Sequence, residues 1–389
     1  MALKQGMVLP PLSIYIHFPW CIRKCPYCDF NSYEMKGDGL DERAYLDALA
    51  RDLEMSLPEI SSLRPVQSVF IGGGTPSLMT GDGVRHLMRL LGGAVTLAPD
   101  CEISLEANPG ASDASRFAEY RAAGINRISI GVQSFSDAAL RSLGRVHDGN
   151  DASTAIRYAR QAGFTNINLD IIYALPGQTV IDAVEDLRVA TDLRPEHISW
   201  YQLGIEPGTL FYKRPPILPD DDSSWEIQQA GQELLSAAGY QNYEISAWAA
   251  AENLRCVHNL NYWHFGDYLG IGAGAHSKLS DPGSGRINRL VRQPSPRKYM
   301  RLSGSKQVLS GNTFPQRGEL HLEFMMNAMR LRDGFPTALF AERTGQSLAD
   351  IRDRLDHAED LGLIERWGEH IRPTSRGQRF LNNLLQLFI

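Results

Sequence analysis

At 389 residues the chain is long enough for one large core and a smaller second one, since single cores stop growing near ~250–300 residues. A hydrophobic fraction of 43% and a charged fraction of 22% exclude a disordered or low-complexity chain. A net charge of −6 gives no general attraction to nucleic acid or to an anionic membrane surface.

No apolar run approaches the ~20 residues of a membrane span, and the N-terminal "MALKQGMVLPPLS" lacks the basic start, apolar stretch and cleavage site of a signal peptide. A cytoplasmic chain with no transmembrane segment is expected, which leaves peripheral membrane contact open.

The first strand-like run, "SIYIHF" (13–18), leads into "WCIRKCPYCDFN", where three of the chain's five cysteines fall at Cys21, Cys25 and Cys28. In a reducing compartment, clustered thiols bind metal or do redox chemistry more often than they form disulfides. Zinc sites usually draw ligands as two pairs, and no second pair is evident here. Three thiolates suit a 4Fe-4S cluster whose fourth iron is left for a small-molecule chelator.

Further strand-like runs follow at 68–72, 102–107, 127–132, 166–172 and 197–203, separated by helix-compatible segments such as "RAYLDALARDLEMSL". Six strands alternating with helices predict an α/β architecture, a partial, six-stranded parallel βα barrel. Buried parallel strands read as continuous apolar runs, but these alternate. Ile103 and Leu105 interleave with Glu102, Ser104 and Glu106, and Leu169 and Ile171 flank Asp170. The apolar faces are assigned to the surrounding helices and the polar faces to a ligand-holding interior. Glu106, Gln133 and Asp170 end their strands in phase, at the end where barrel enzymes build their sites. The turn "IGGGTPS" (71–77) lets backbone approach a ligand closely and does not match a phosphate-cradling loop.

These residues carry a resemblance. Cys21-x3-Cys25-x2-Cys28 with Tyr27 resembles the signature of radical S-adenosylmethionine (SAM) proteins. "SIYIHFPWC", "GGGTPS", "EANP", "GVQSF", "LGRVH" and "NLDIIYALPGQT" are similar, in order, to the branch related to oxygen-independent coproporphyrinogen III oxidase. The resemblance implies that the three cysteines bind the 4Fe-4S cluster and that Tyr15 lies beside cluster and SAM. It further implies that Gly73, Gly74 and Thr75 contact the methionine part, that Glu106, Gln133 and Arg145 surround SAM, and that Asp170 binds its ribose. The oxidases carry a further cysteine two positions after the third, where this chain has Phe30, and a longer N-terminal extension.

"CVHNLNYWHFGDYLGIGAGAHS" (256–277) reads in two ways: an aromatic cluster around a core histidine, or a haem site with an axial ligand and flat apolar surface. Its His-Asn-x-x-Tyr-Trp pattern resembles that of HemW-type haem chaperones. That resemblance implies haem binding among Cys256, His258, Asn259, Tyr262 and Trp263, with haem and haem-accepting proteins such as respiratory-chain components as partners, and assembly into a homodimer. It implies a radical SAM protein without coproporphyrinogen III oxidase activity. The alternative is a radical SAM oxidase or decarboxylase acting on coproporphyrinogen III or a related porphyrin; no catalytic residue is assigned. Cys101, beside Ile103, reads as core.

The tail, with "LIERWGEHIRPT" between helical segments, has a winged-helix-like order. Acidic residues through the segment favour packing or partner docking over nucleic acid. The expected organisation is a radical SAM core over 1–235, an extension carrying the haem motif over 236–300, and a smaller C-terminal α/β, winged-helix-like domain over 301–389.

Overall fold

The computed structural model describes residues 6–35, 41–60, 64–111 and 113–389. All six expected strands form: β1 (Leu12–Phe18), β2 (Val66–Gly73), β3 (Leu97–Ala107), β4 (Arg127–Gln133), β5 (Ile167–Tyr173) and β6 (His197–Gln202). They pair side by side and parallel in that order. The helices between them are α1 (Glu42–Ser56), α2 (Gly81–Ala94), α3 (Ala114–Ala122), α4 (Gly149–Gln161) and α5 (Val180–Asp192), with α6 (Asp221–Ala237) after β6. Each begins at a side-chain cap, Asp41, Thr80, Asp113, Asp148, Thr179 or Asp220, which accepts from a backbone N–H in the first turn. Those caps set where each crossover helix starts, and so how the next strand returns parallel.

The chain beyond α6 extends this sheet at both edges. β7 (Gln241–Glu244) and β8 (Ala247–Ala249) add antiparallel strands beyond β6. At the other edge β9 (Asp267–Ile271) lies parallel to β1 as a seventh parallel strand, followed by antiparallel β10 (His276–Asp281), β11 (Arg286–Arg292) and β12 (Leu309–Thr313). The seventh strand could not be read from a local pattern, because its partner β1 is about 250 residues away in the chain. The twelve strands form an open sheet among the described residues, curved around an interior in the manner of a partial barrel.

The predicted division of faces is present. Ile103, Leu105, Ile128, Ile130, Leu169 and Ile171 are buried with helix residues such as Val84, Leu87, Phe117 and Leu187 in the main core, and Cys101 joins them. On the opposite face Ser104, Ser129 and Asn168 are buried as well.

A second apolar cluster centres on α8 (Arg317–Ala328), α9 (Thr337–Thr344) and α10 (Arg352–Asp360), with a three-stranded sheet of β13 (Phe335–Pro336), β14 (Ile364–Trp367) and β15 (His370–Pro373). This is the winged-helix-like order expected of the tail. Met7 belongs to this second cluster, and the N–H of Val8 donates to the carbonyl of Glu342 at 2.8 Å. The C-terminal region joins the β7 end of the large sheet through Ile245 N–H to Arg330 O (3.2 Å) and Arg332 N–H to Tyr243 O (3.0 Å).

Candidate functional site

The three cysteines sit in a loop held by its own backbone and by one lysine. Trp20–Cys21 pairs with Tyr33–Glu34, Cys28 N–H donates to Cys25 O at 3.1 Å, and Lys24 Nζ donates to the carbonyls of Phe30 (2.9 Å) and Ser32 (3.2 Å). The glycine turn after β2 presses against this loop. Gly73 has φ +120°, and a Cβ at Gly74 would lie 2.4 Å from the carbonyl oxygen of Trp20, so neither position tolerates a side chain.

Cys21, Cys25 and Cys28 share one cavity of about 390 Å³ with Gly73, Gly74 and Thr75. Glu106, Gln133, Arg145 and Asp170 line the same cavity, whose size falls within the usual range for a small-molecule site. The sequence therefore brings all three cysteines and seven of the eight residues assigned to SAM into a single space. The eighth, Tyr15, packs behind it: its hydroxyl lies 2.9 Å from His17 Nδ1 and its ring stacks on Phe70.

Each polar group at the mouth has an identifiable posture. Glu106 Oε2 accepts from the N–H of Gly73 at 3.0 Å. Burial and the neighbouring Asp170 push the Glu106 carboxyl up to about 8, against the opposing pull of that N–H. Burial also raises Asp170. Gln133 has φ +68°, in the left-handed region, and its Oε1 accepts from the Tyr201 hydroxyl at 3.0 Å. Arg145 donates through Nη2 to Gly131 O (2.8 Å) and through Nη1 to Cys25 Sγ (3.7 Å).

These residues fit the cofactors that their pattern implies. All three thiols line one cavity, as a cluster held by three thiolates requires, and the Arg145 guanidinium donates to Cys25 Sγ from the same cavity wall. Burial pushes Cys21 up to about 11 and also raises Cys28, so ligation there would release protons. Asp170 accepts from Ser129 Oγ (3.0 Å) and Asn168 Nδ2 (2.8 Å), which fixes the carboxylate and leaves lone pairs for a diol such as ribose.

Below this mouth the same polar face is filled by side chains that satisfy one another. Asn168 Nδ2 donates to Ser129 Oγ at 2.7 Å, and its Oδ1 accepts from His197 Nδ1 at 2.6 Å. Burial holds His197 neutral, its Nε2 lies 2.8 Å from the Tyr243 hydroxyl, and that oxygen accepts from Cys256 N–H at 3.2 Å. A directional chain of donors thus runs from residue 256 through Tyr243, His197 and Asn168 to Asp170. Sequence reasoning missed this floor; the alternation of Asn168 with Asp170 and of Glu102 with Glu106 was the available signal.

The 256–263 stretch begins α7 (Val257–Trp263), and Glu102 from β3 anchors its first turn. The Glu102 carboxylate accepts from the N–H groups of Val257 and His258, both at 3.1 Å, and from the Cys256 thiol at 3.5 Å. Asn259 and Trp263 line the cavity, whereas Cys256, His258 and Tyr262 lie behind it. His258 is buried, with Nδ1 3.0 Å from Ser68 Oγ and Nε2 3.2 Å from the Tyr262 hydroxyl, and burial lowers it to about 3. Burial pushes Cys256 up to about 12. Both ring nitrogens of His258 are engaged, so the ring as placed offers no lone pair to an axial position. The C-terminal region completes the cavity wall: Arg330 stacks its guanidinium over the Trp263 ring at 4.3 Å and pairs with Glu244 at 3.2 Å. Neither Arg330 nor Glu244 had a sequence signal, because both reach the site through tertiary contacts.

Comparison with known proteins gives the chain a family. The Radical SAM superfamily matches residues 15–190, and the HemN C-terminal domain matches residues 317–380. The chain is similar in fold to a solved structure described as coproporphyrinogen III oxidase (HemN) from Escherichia coli, a radical SAM enzyme. The TM-score is 0.81 at 24% identity, covering 98% of this chain and 90% of that one. It is 46% identical over 381 residues to the protein named "Heme chaperone HemW" in Escherichia coli strain K12, covering 98% of this chain and 99% of that one. A Bacillus subtilis protein of the same name is 33% identical over 384 residues, covering 97% and 99%. With identity of this order sustained along nearly the whole of both chains, this chain belongs to the HemW family of radical SAM proteins.

Proposed function

We propose that this protein is a cytoplasmic haem chaperone. It binds haem and passes it to acceptor proteins such as respiratory-chain components, while Cys21, Cys25 and Cys28 hold a 4Fe-4S cluster whose open iron SAM chelates. The observation that carries the cofactor part is the shared cavity, which the three thiols line together with the glycine turn, Glu106 and Asp170. The haem part rests on the relatives named "Heme chaperone HemW", and on Phe30 lining the cavity where the oxidases have a further cysteine.

When bound, the cluster would supply a redox centre and a Lewis-acidic iron. The chain's own contribution is positional. Arg145 donates to Cys25 Sγ, the 71–77 turn closes on the cysteine loop through the Gly74 and Thr75 N–H groups that donate to the carbonyls of Phe18 and Trp20, both at 2.7 Å, and Asp170 is set to orient hydroxyls by the chain of donors beneath it. No residue is assigned to porphyrinogen chemistry.

The deciding experiment is anaerobic reconstitution with iron and sulfide, then haem titration and transfer to an apo-acceptor, with a parallel assay for 5′-deoxyadenosine and decarboxylated porphyrinogen. Stoichiometric haem binding and transfer without porphyrinogen turnover is the expected result. Loss of propionate carboxylates from the porphyrinogen would overturn the chaperone reading and make the protein an oxidase. In the same reconstitution, Cys21→Ala is expected to lose most of the bound iron and acid-labile sulfide; full retention would refute the cluster assignment.

A further inference from the structure

The cysteine loop has two sides. One faces the central cavity; the other forms a wall of a second, outward-opening groove of about 510 Å³. Cys25 and Cys28 line both spaces. The opposite wall of the groove is the short helix Leu210–Lys213 with residues 141–144, tied to the loop by Phe211 N–H donating to Pro26 O at 2.9 Å.

The charge of this groove runs against that of the chain. Although the protein carries −6 overall, the groove is lined by Arg23, Lys24, Arg141 and Lys213 and by no carboxylate. Lys24 is committed to the loop's own carbonyls. Arg23, Arg141 and Lys213 are exposed and have no hydrogen-bond or ion-pair partner for their side chains among the described residues. The groove wall also carries an apolar side chain in water: Leu210 is 55% exposed and stands beside Pro26 of the cysteine loop. Unpaired cations beside an exposed aliphatic wall describe a site for an apolar body that carries carboxylates.

We infer that this outer groove is the haem-docking site, with Arg23, Arg141 and Lys213 taking the propionates and Leu210 and Pro26 meeting the macrocycle. The inference rests on the chaperone reading above and gives it a place. It differs from a site at residues 256–263, where His258 already spends both ring nitrogens inside the protein. No histidine or methionine lines the groove and its two cysteines are assigned to the cluster, so recognition falls on the carboxylates and the macrocycle and not on the iron. That suits a carrier, because an iron left free of a strong protein ligand is open to the acceptor's own.

The test uses the full-length reconstituted protein and equilibrium titration with haem, iron-free protoporphyrin IX and its dimethyl ester. The triple variant Arg23→Glu, Arg141→Glu, Lys213→Glu changes only exposed side chains, and its iron and sulfide content reports whether the neighbouring loop is intact. Haem affinity is expected to fall at least tenfold in the variant at wild-type cluster content. Protoporphyrin IX should bind the wild type within a few-fold of haem, and the ester should bind poorly to both proteins. Charge reversal at the exposed Arg188, on α5 and outside the groove lining, should leave haem affinity unchanged. If the wild type binds haem and the triple variant binds it equally well, or if binding requires the iron, the groove is not the site and the chaperone reading stands. If the variant keeps haem but loses reduction by an acidic electron-donor protein, the groove serves that partner and the inference fails. Wild-type protein that binds no haem at all defeats the chaperone reading itself.

Discussion

Glu102 and Glu106 lie four residues apart on the same face of β3, and the protein treats them in opposite ways. Glu102 is saturated: it accepts from two backbone N–H groups and a thiol at the start of α7, with the Arg127 guanidinium 3.8 Å away. Glu106 has one backbone donor, a second carboxylate for a neighbour, and a proton affinity raised to about 8. The same contrast repeats on β5, where Asn168 closes a network and Asp170 holds accepting capacity at its end. One layer of the polar face is internal carpentry; the layer above it is unfinished, and that incompleteness marks a ligand site.

The largest expected effect lies in the saturated layer. Glu102→Ala strands the first N–H groups of α7 and the buried Arg127 charge, and should cost about 4 kcal/mol of stability. Chemical unfolding measures the loss, and hydrogen exchange should show residues 257–263 opening first. A variant as stable as the parent would erase the distinction between the layers. His258→Ala removes a buried ring hydrogen-bonded at both nitrogens and should cost about 3 kcal/mol by the same measurement. Haem spectra of the folded fraction sharpen the point, since a Soret band that moves with this substitution would make His258 an axial ligand.

In the unfinished layer the effects move to binding. Asp170→Asn should weaken SAM about tenfold in equilibrium binding to reconstituted protein, with stability changed by less than about 0.5 kcal/mol. Equal SAM affinity would remove Asp170 from the site. The finest test is a slope. Glu106 holds its proton to about 8 in the folded protein, against 4.5 for an ordinary glutamate. The folded state therefore binds more protons between those values, and stability falls as pH rises from about 4.5 to about 8. Glu106→Gln should flatten that part of the apo-protein's stability–pH curve; an unchanged slope would show that Glu106 is not the titrating group.

The same contrast explains what could be read from sequence. The six strands were legible because Ile103/Leu105, Ile128/Ile130 and Leu169/Ile171 alternate with polar neighbours, and period-two patterning is a local property. Glu106, Gln133 and Asp170 were legible because they fall in the polar phase of those strands, Glu106 and Gln133 at the C-terminal end and Asp170, which the pattern also put at an end, in the middle of β5. Glu102, Arg330 and Glu244 were not, since their roles depend on which segment arrives opposite: α7 for Glu102, and each other across a domain contact for the last two. The same limit hid β9, whose pairing with β1 is set by tertiary packing and not by spacing.

The pairing of β1 with β9, together with Met7 in the C-terminal core, has a consequence for how the protein is made. Synthesis proceeds at ~5–20 residues per second and usually lets N-terminal regions fold first. Here Met7 and β1 pack against segments made some 250 residues or more later, and the cysteine loop precedes by some 300 residues the Arg330 that finishes its cavity. The cavity wall is therefore complete only once residue 330 has been made and has folded back.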